Sequence, residues 1–431
     1  MSKKSYYNHI LYDDGLAYWF NALSFSHFVL GEELSKKIEG MLDTPDVIRE
    51  NSPSFYDKLV DSGFLIPEDY DELAVIRRRN DDAINRKFYK LTIIPTLNCN
   101  YKCWYCIQDH IPSIMSEETI ERIKRHIEYM IDVEGIEGLH IDWFGGEPFM
   151  FYDRVVKPLS LYAKELCSQK KIPFTNGSTT NGYFINADVA KDLEELDLYY
   201  FQITLDGNKD FHDKVKFQKG CESTFNHVLD NINHMMTICD RIQLTLRINY
   251  THDNLTKDIV DEISERLSPE IRNRISILPR KVWQKDIDKR YATELYEILD
   301  IFEERGFNVE RWSPIRNYIP CYANKKYYNS INYNGHVLKC TASDDLYRKE
   351  PLGYLEEDGS IHWNGNAGSA YQCKAFENER CLTCKILPVC MGQCPRNHLA
   401  DITKCAYDMT DETFETALLT FLKHDYKTAK I

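Results

Sequence analysis

The stretch Leu91-Thr92-Ile93-Ile94-Pro95-Thr96-Leu97-Asn98-Cys99-Asn100-Tyr101-Lys102-Cys103-Trp104-Tyr105-Cys106 decides the reading of this chain. An apolar run of strand character passes directly into three cysteines spaced Cys-x3-Cys-x2-Cys. Three thiolates can hold three irons of a four-iron cluster and leave the fourth iron open, whereas four cysteines per cluster is the usual count. A zinc knuckle short of one ligand and three buried thiols are the plainer readings of the same triplet.

Working outward, apolar segments near 91–95, 139–144, 174–180, 198–204, 242–249 and 274–279 alternate with amphipathic helical patterns. Ile120, Ile123, Ile127 and Met130 recur at helical spacing after Ser116-Glu117-Glu118, a capped helix start. About six such βα units predict an α/β fold with a parallel sheet and right-handed crossovers. Architectures of this kind place their ligand groups at the C-terminal ends of the strands.

Short polar motifs follow those ends. The segment from Leu139 to Phe144 runs into Gly145-Gly146-Glu147-Pro148, and another strand ends in Ser178-Thr179-Thr180-Asn181-Gly182. Tyr200-Phe201-Gln202-Ile203-Thr204-Leu205-Asp206-Gly207 closes the next, followed by His212-Asp213 and Lys216. Taken alone, Gly145 to Pro148 reads as a turn, Thr204 as a strand-end residue and Lys216 as a solvated lysine.

Together, Cys99, Cys103, Tyr105 and Cys106, with the aromatic just before the last cysteine, resemble the signature of the radical S-adenosylmethionine (SAM) enzymes. The resemblance implies an open (β/α)6 partial barrel, TIM-like, and a [4Fe–4S] cluster whose unique iron is chelated by SAM. It implies that Gly145 and Gly146 let the methionine end of SAM approach, and that Glu147 meets its ammonium. The segment around Thr204 and Lys216 resembles one that in the anaerobic sulfatase-maturating branch gives SAM a hydroxyl and a basic group. That branch has serine and arginine there, and lysine lacks arginine's bidentate fork.

Seven further cysteines, of fourteen in all, form an ordered C-terminal array: Cys321-x13-Gly335-x4-Cys340, then Cys381-x2-Cys384-x5-Cys390-x3-Cys394, then Cys405. The array resembles the SPASM domain pattern, which implies two auxiliary [4Fe–4S] clusters and three in total. By that resemblance Cys381, Cys384, Cys390 and Cys405 ligate one auxiliary cluster, and Cys321, Cys340 and Cys394 serve the other. The eighth auxiliary position is either open to an exchangeable ligand or filled by Cys373. A zinc ribbon built on Cys381, Cys384, Cys390 and Cys394 is the competing reading, while Cys167, Cys221 and Cys239 read as packing residues.

The formal net charge is −14, from 53 basic and 67 acidic residues, without a dense basic stripe. That balance disfavours nucleic-acid binding, which needs Lys and Arg to neutralise phosphates. Met1-Ser2-Lys3-Lys4 is not followed by an apolar run, and the stretch from Gly15 to Gly31 is interrupted by Asn21, Ser24, Ser26 and His27. A reducing cytoplasm is expected, with no membrane partner.

Three domains are expected. Residues 1–88 contain a helix-like segment from Glu33 to Leu42 and a charged helix from Asp71 to Arg86. They resemble the winged-helix-like modules that recognise leader peptides, or form a scaffold domain. The barrel would span 89–309, and 310–431 would carry the cysteine array and a final helix with Phe414, Leu418, Phe421 and Leu422 as its apolar stripe.

The resemblance implies hydrogen abstraction from a ribosomally made precursor peptide by a 5′-deoxyadenosyl radical, forming a thioether or carbon–carbon crosslink. An electron donor such as flavodoxin or ferredoxin is implied. Formylglycine formation in a sulfatase is the alternative, but those maturases follow the second array cysteine with an aspartate general base. Here Cys340 is followed by Thr341, with Asp344 and Asp345 close by. An iron–sulfur electron carrier and a zinc-ribbon adaptor are the non-enzyme readings.

Overall fold

The computed structural model describes residues 1–251, 253–285, 291–314, 320–342, 344–347, 350–392, 394–403, 405 and 411–428. The side chains of residues 291–293, 344 and 345 also lie outside the described set, so the expectation placed on Asp344 and Asp345 falls there. The chain divides into two compact units. One comprises Met1–Arg86, Trp312–Lys326 and Ser369–Ile431; the other comprises Lys87–Arg311 and Tyr327–Gly368.

The first unit opens with β1 (Ser2–Lys4), β2 (Asn8–Asp13), β3 (Leu16–Asn21) and β4 (His27–Gly31). They lead into helices α1 (Glu32–Glu39), α2 (Pro45–Asn51) and α3 (Pro53–Asp61), then β5 (Leu65–Pro67) and α4 (Glu72–Asn85). β2, β3 and β4 form an antiparallel sheet in that order, and β1 pairs with β5. Proline at the first position of α2 and α3 costs no hydrogen bond there. The Asp71 side chain caps α4 by accepting from Ala74 N at 2.9 Å.

Alternation along β3 gives the sheet two apolar faces. Ala17 and Trp19 pack with Ile38, Leu59 and Phe64. Tyr18 and Phe20 pack with Leu387, Met391, Phe414 and Leu418 from the C-terminal segment. Phe414, Leu418 and Leu422 of the last helix, Asp411–Thr428, are core residues, as their spacing predicts.

In the second unit the strands are β6 (Phe88–Ile93), β7 (Gly138–Trp143), β8 (Phe174–Thr180), β9 (Leu198–Leu205), β10 (Gln243–Tyr250), β11 (Ile275–Lys281) and β12 (Asn308–Val309). The sheet continues with β13 (Tyr328–Ile331), β14 (His336–Leu338), β15 (Gly353–Leu355) and β16 (Ile361–Trp363). Between them run α5 (Glu117–Asp132), α6 (Lys157–Lys170), α7 (Ala187–Asp192), α8 (Lys209–Val215), α9 (Thr224–Ile238), α10 (Asp258–Arg266), α11 (Pro269–Arg272) and α12 (Tyr291–Glu304). The eleven-stranded order is β12-β11-β10-β9-β8-β7-β6-β13-β14-β15-β16. All pairs from β12 to β13 are parallel, and the pairs from β13 to β16 are antiparallel. The α/β class and the six predicted strands are therefore found.

Parallel sheets usually read as apolar on both faces; this one does not. On one face Leu91, Ile141, Ile203, Leu246 and Ile277 join the core formed with the helices. On the other stand Lys90, Asp142, Gln202, Thr204, Arg247 and Asn249, with Lys90 Nζ 2.8 Å from Asp142 Oδ2. A full shell of helices would leave these groups unsolvated, so this face is built to meet polar partners.

Candidate active site

The cysteine loop begins where β6 ends. Met115 N donates to Pro95 O at 2.9 Å and closes the base of the loop. Thr96 Oγ1 donates to Ser113 O at 2.6 Å, and Leu97 N to Ser113 Oγ at 2.9 Å. Within this frame Cys99, Cys103 and Cys106 are free, partly buried thiols. They lie within electrostatic reach of one another.

The chemistry of the three sulfurs fits a metal cluster. Burial pushes the Cys99 thiol up to about 12 and the Cys103 thiol up to about 11, and raises Cys106 as well. Forming three thiolates here needs a cation, which a bound metal centre provides. Donors already face the sulfurs: Tyr101 N lies 3.4 Å from Cys99 Sγ, Gln108 N 3.4 Å from Cys106 Sγ, and His110 Nε2 3.2 Å from Cys106 Sγ. His110 holds a left-handed backbone, φ 48°, that few non-glycine residues adopt.

Gly145-Gly146-Glu147 follows β7 and lies against the residues just before Cys99. Gly146 N donates to Thr96 O at 3.0 Å and Glu147 N to Asn98 O at 2.9 Å. A Cβ on Gly145, where φ is +136°, would sit 2.4 Å from Thr96 O, and one on Gly146 2.0 Å from Asn98 O. The crowding that requires glycine at both positions thus comes from the chain's own backbone. The sequence had pointed to SAM as the reason for these glycines; the structure supplies a nearer one.

Glu147 is fully buried. It accepts from Phe149 N at 3.0 Å, Thr180 Oγ1 at 2.8 Å and Asn181 N at 2.8 Å. Burial lifts its pKa to about 7, against the pull of those donors. The carboxylate ties the end of β7 to the end of β8, and Asn181 Nδ2 reaches on to Asn100 Oδ1 at 2.8 Å.

Below the loop lies a second buried carboxylate, Asp206. Its Oδ1 accepts from Tyr105 Oη at 2.6 Å and Asn249 Nδ2 at 3.1 Å. Its Oδ2 has no hydrogen-bond partner among the described residues and faces Lys216 Nζ at 3.6 Å. Lys216 is only 2 % exposed, not solvated. It donates to Thr204 O at 2.6 Å and Thr204 Oγ1 at 2.7 Å. His212 Nδ1 accepts from Asp206 N at 3.2 Å, while its Nε2 has no hydrogen-bond partner among the described residues.

The structure therefore brings Cys99, Cys103, Cys106, Tyr105, Gly145, Gly146, Glu147, Thr204 and Lys216 to one end of the sheet. Tyr105, Thr204 and Lys216 turn out to be coupled through Asp206. Asn249, Arg247 and the roles of Asn181 and Asp206 were not legible in the sequence. A lone Asn on a strand carries no signal, but the Asp206-Gly207 turn closing a strand was visible and could have prompted the question.

In the first unit, Cys381, Cys384, Cys390 and Cys405 come within electrostatic reach, with Cys373 beside them. Cys373 Sγ donates to Met391 O at 3.2 Å. Cys321 and Cys394 belong to this unit and Cys340 to the other. Cys167 and Cys239 are packed in the second unit's core, as read, and Cys221 lies against Tyr183.

Residues 93–242 match the Radical SAM superfamily, so this chain carries a radical SAM domain and is an enzyme. Among curated relatives it is similar to the radical SAM cyclopropyl synthase TigE of Paramaledivibacter caminithermalis, 22 % identical over 399 residues, 81 % of this chain and 76 % of that protein. It is also similar to the cysteine-type anaerobic sulfatase-maturating enzyme of Clostridium novyi, 23 % identical over 335 residues, 70 % of this chain and 86 % of the relative. Of solved structures, anSMEcpe with bound AdoMet and Cp18Cys peptide shares the fold at TM-score 0.57 and 17 % identity, over 79 % of this chain and 99 % of that one. No helix among the described residues is long and apolar enough to cross a membrane.

Proposed function

We propose that this enzyme modifies a ribosomally made precursor peptide, forming a thioether or carbon–carbon crosslink. The observation that carries the reading is the loop of three free thiols locked by Gly145, Gly146 and Glu147 above the Asp206–Lys216 pair. Cys99, Cys103 and Cys106 would hold a [4Fe–4S] cluster, with Tyr105, Gly145, Gly146, Glu147, Thr204 and Lys216 around the SAM site. When bound, cluster and SAM supply one electron and a 5′-deoxyadenosyl group that takes a hydrogen atom from substrate.

The chain's own residues do the positioning. Gly146 and Glu147 fix the backbone at residues 96–98, so the cysteines are held from both sides. Tyr105 is oriented by Asp206 and Asn249. Lys216 stands 3.6 Å from Asp206 Oδ2 and donates to Thr204 O and Oγ1, which fixes the Thr204 side chain.

Two auxiliary clusters in a SPASM-type C-terminal part extend the reading. Cys381, Cys384, Cys390 and Cys405 would hold one; Cys321, Cys340 and Cys394 would serve the other. The eighth position, in the three-cysteine set, is open to an exchangeable ligand, with Cys373, which lies beside Cys381 of the four-cysteine set, as the alternative. The three antiparallel strands β2–β4 followed by helices α1–α3 support a leader-binding role for residues 1–88, with β4 as a free sheet edge for an added strand. Because those strands share a core with Phe414 and Leu418, removing them whole would expose that core. Charge or proline substitutions on β4 are the cleaner probe. A flavodoxin or ferredoxin in a reducing cytoplasm completes the scheme.

Two kinds of relatives support peptide substrates: the name of the Clostridium novyi enzyme and the peptide bound to anSMEcpe. They equally favour a second reading, formylglycine formation in a sulfatase, against which Thr341 stands where those enzymes carry an aspartate. The test is anaerobic reconstitution followed by an iron count and mass spectrometry with SAM and dithionite. About twelve irons per chain, 5′-deoxyadenosine, and a mass loss in a peptide encoded beside the gene support the proposal. Conversion of a sulfatase-derived Cys or Ser peptide, with no change in the neighbouring peptide, establishes the second reading instead.

A further inference from the structure

The polar face of the sheet carries a charge imbalance near the site. Arg247 lies on β10 and Arg280 on the adjacent parallel strand β11, where Arg247 is in register with Leu278 and Asn249 with Arg280. Residues two apart on a strand share a face, and so do in-register partners of a parallel pair. The two guanidinium groups therefore stand on one face, a single pleat apart, toward the C-terminal strand ends.

Other cations of this region are matched: Lys90 by Asp142 and Lys216 by Asp206. Arg247 donates from Nε to the amide oxygen of Asn249 at 2.8 Å, and neither arginine has a carboxylate within ion-pair distance among the described residues. This is the reverse of what a chain of net charge −14 would place there by chance. Two like charges on neighbouring strands oppose folding, and burial together with the Arg280 charge disfavours the charged form of Arg247, with Tyr105 and Asp206 offsetting only part of this. An anion between them would remove both costs, and paired planar guanidinium forks suit a carboxylate.

Their position relates this pair to the reaction. Asn249, which holds Arg247, also donates to Tyr105 Oη and Asp206 Oδ1, both at 3.1 Å. Arg280 is exposed and Arg247 half-buried, so a ligand entering from solvent meets Arg280 first. We infer that Arg247 and Arg280 form a subsite for the side-chain carboxylate of an Asp or Glu in the peptide substrate, holding the acidic residue beside the cysteine loop. This rests on the peptide reading above.

The test uses the full reconstituted chain under anaerobic conditions and two probes, acetyl-Gly-Glu-Gly-amide and its Gln twin, titrated with and without SAM. The Glu probe should bind about tenfold more tightly, the difference a charge-assisted hydrogen bond makes. That preference should vanish in Arg280→Gln and in Arg247→Gln, whose iron content and circular dichroism report folding. Equal binding of the twins, or a preference that survives both substitutions, overturns the subsite. A Glu preference that SAM abolishes, with a SAM dissociation constant raised about tenfold in Arg247→Gln, overturns it by assigning the pair to the methionyl carboxylate. Because this readout is binding and not turnover, its failure leaves the mass-spectrometric test of peptide modification to stand or fall separately.

Discussion

Lys216 donates its ammonium protons to both oxygens of Thr204, at 2.6 Å and 2.7 Å, from a position only 2 % exposed to solvent. The geometry binds the start of the α8–α9 connection to the end of β9. It also sets the ammonium 3.6 Å from Oδ2 of the equally buried Asp206, an oxygen with no hydrogen-bond partner among the described residues. The pair is a single electrostatic unit beneath the cysteine loop.

Lys216→Met should therefore cost about 3–5 kcal/mol, the penalty of leaving one buried charge without its partner. Lys216→Met/Asp206→Asn should cost clearly less than the sum of the single changes, because the stranded charge is gone. Anaerobic urea titrations of the four proteins decide this; additive losses would show that the pair is not coupled.

Gly146→Ala should dislodge the cysteine loop, since its Cβ would overlap Asn98 O at 2.0 Å. The expected outcome is a loss of at least about 2 kcal/mol and of about four irons per chain. Iron analysis and the visible absorption of the reconstituted protein measure it.

The pKa of Glu147 is raised by burial to about 7 from an ordinary value of 4.5. A group that binds its proton more tightly when folded contributes stability that is complete below its unfolded pKa and is lost as pH rises through the folded one. Between about pH 5 and pH 8 the wild type should thus lose on the order of 3 kcal/mol relative to Glu147→Gln, which cannot titrate. Parallel stability curves for the two proteins across that window would contradict the assignment.

His126 Nδ1 donates to Gly359 O at 2.6 Å and Nε2 accepts from Tyr89 Oη at 2.7 Å, in a fully buried position. It ties α5 to the turn before β16 and to β6 at once. His126→Ala should cost about 2–4 kcal/mol, from a cavity and two stranded polar groups. Denaturant midpoints with unchanged slope would report it.

His110 Nε2 lies 3.2 Å from Cys106 Sγ. A hydrogen bond to a cluster-bound sulfur stabilises the reduced state. His110→Ala should lower the midpoint potential of the triplet's cluster, read by an EPR-monitored titration in the absence of SAM; an unchanged potential would remove His110 from that role.

The periodicity of 2 and 3.6 along residues 88–281 was enough to place six strands, because a buried apolar face leaves a strong imprint on sequence. Cys99, Cys103 and Cys106 were legible for a different reason: closely spaced thiols on one loop need no knowledge of distant residues. Likewise the stripe Phe414, Leu418, Leu422 announced a packed helix. What it packs against, β2 and β3 at the other end of the chain, has no local signature.

The tertiary structure alone decided the rest. Gly145 and Gly146 were visible, but only the fold shows that the carbonyls of Thr96 and Asn98 occupy the space a Cβ would need. Lys216 read either as a basic contact to SAM or as a solvated lysine, and only the fold places it, buried, 3.6 Å from Asp206 on the far side of α8. The approach of Arg247 and Arg280 depends on the register of β10 with β11, which local sequence does not encode. Sequence fixes short-range pattern through side-chain period; the meeting of charges across strands is set by register and burial, and these exist only in the folded chain.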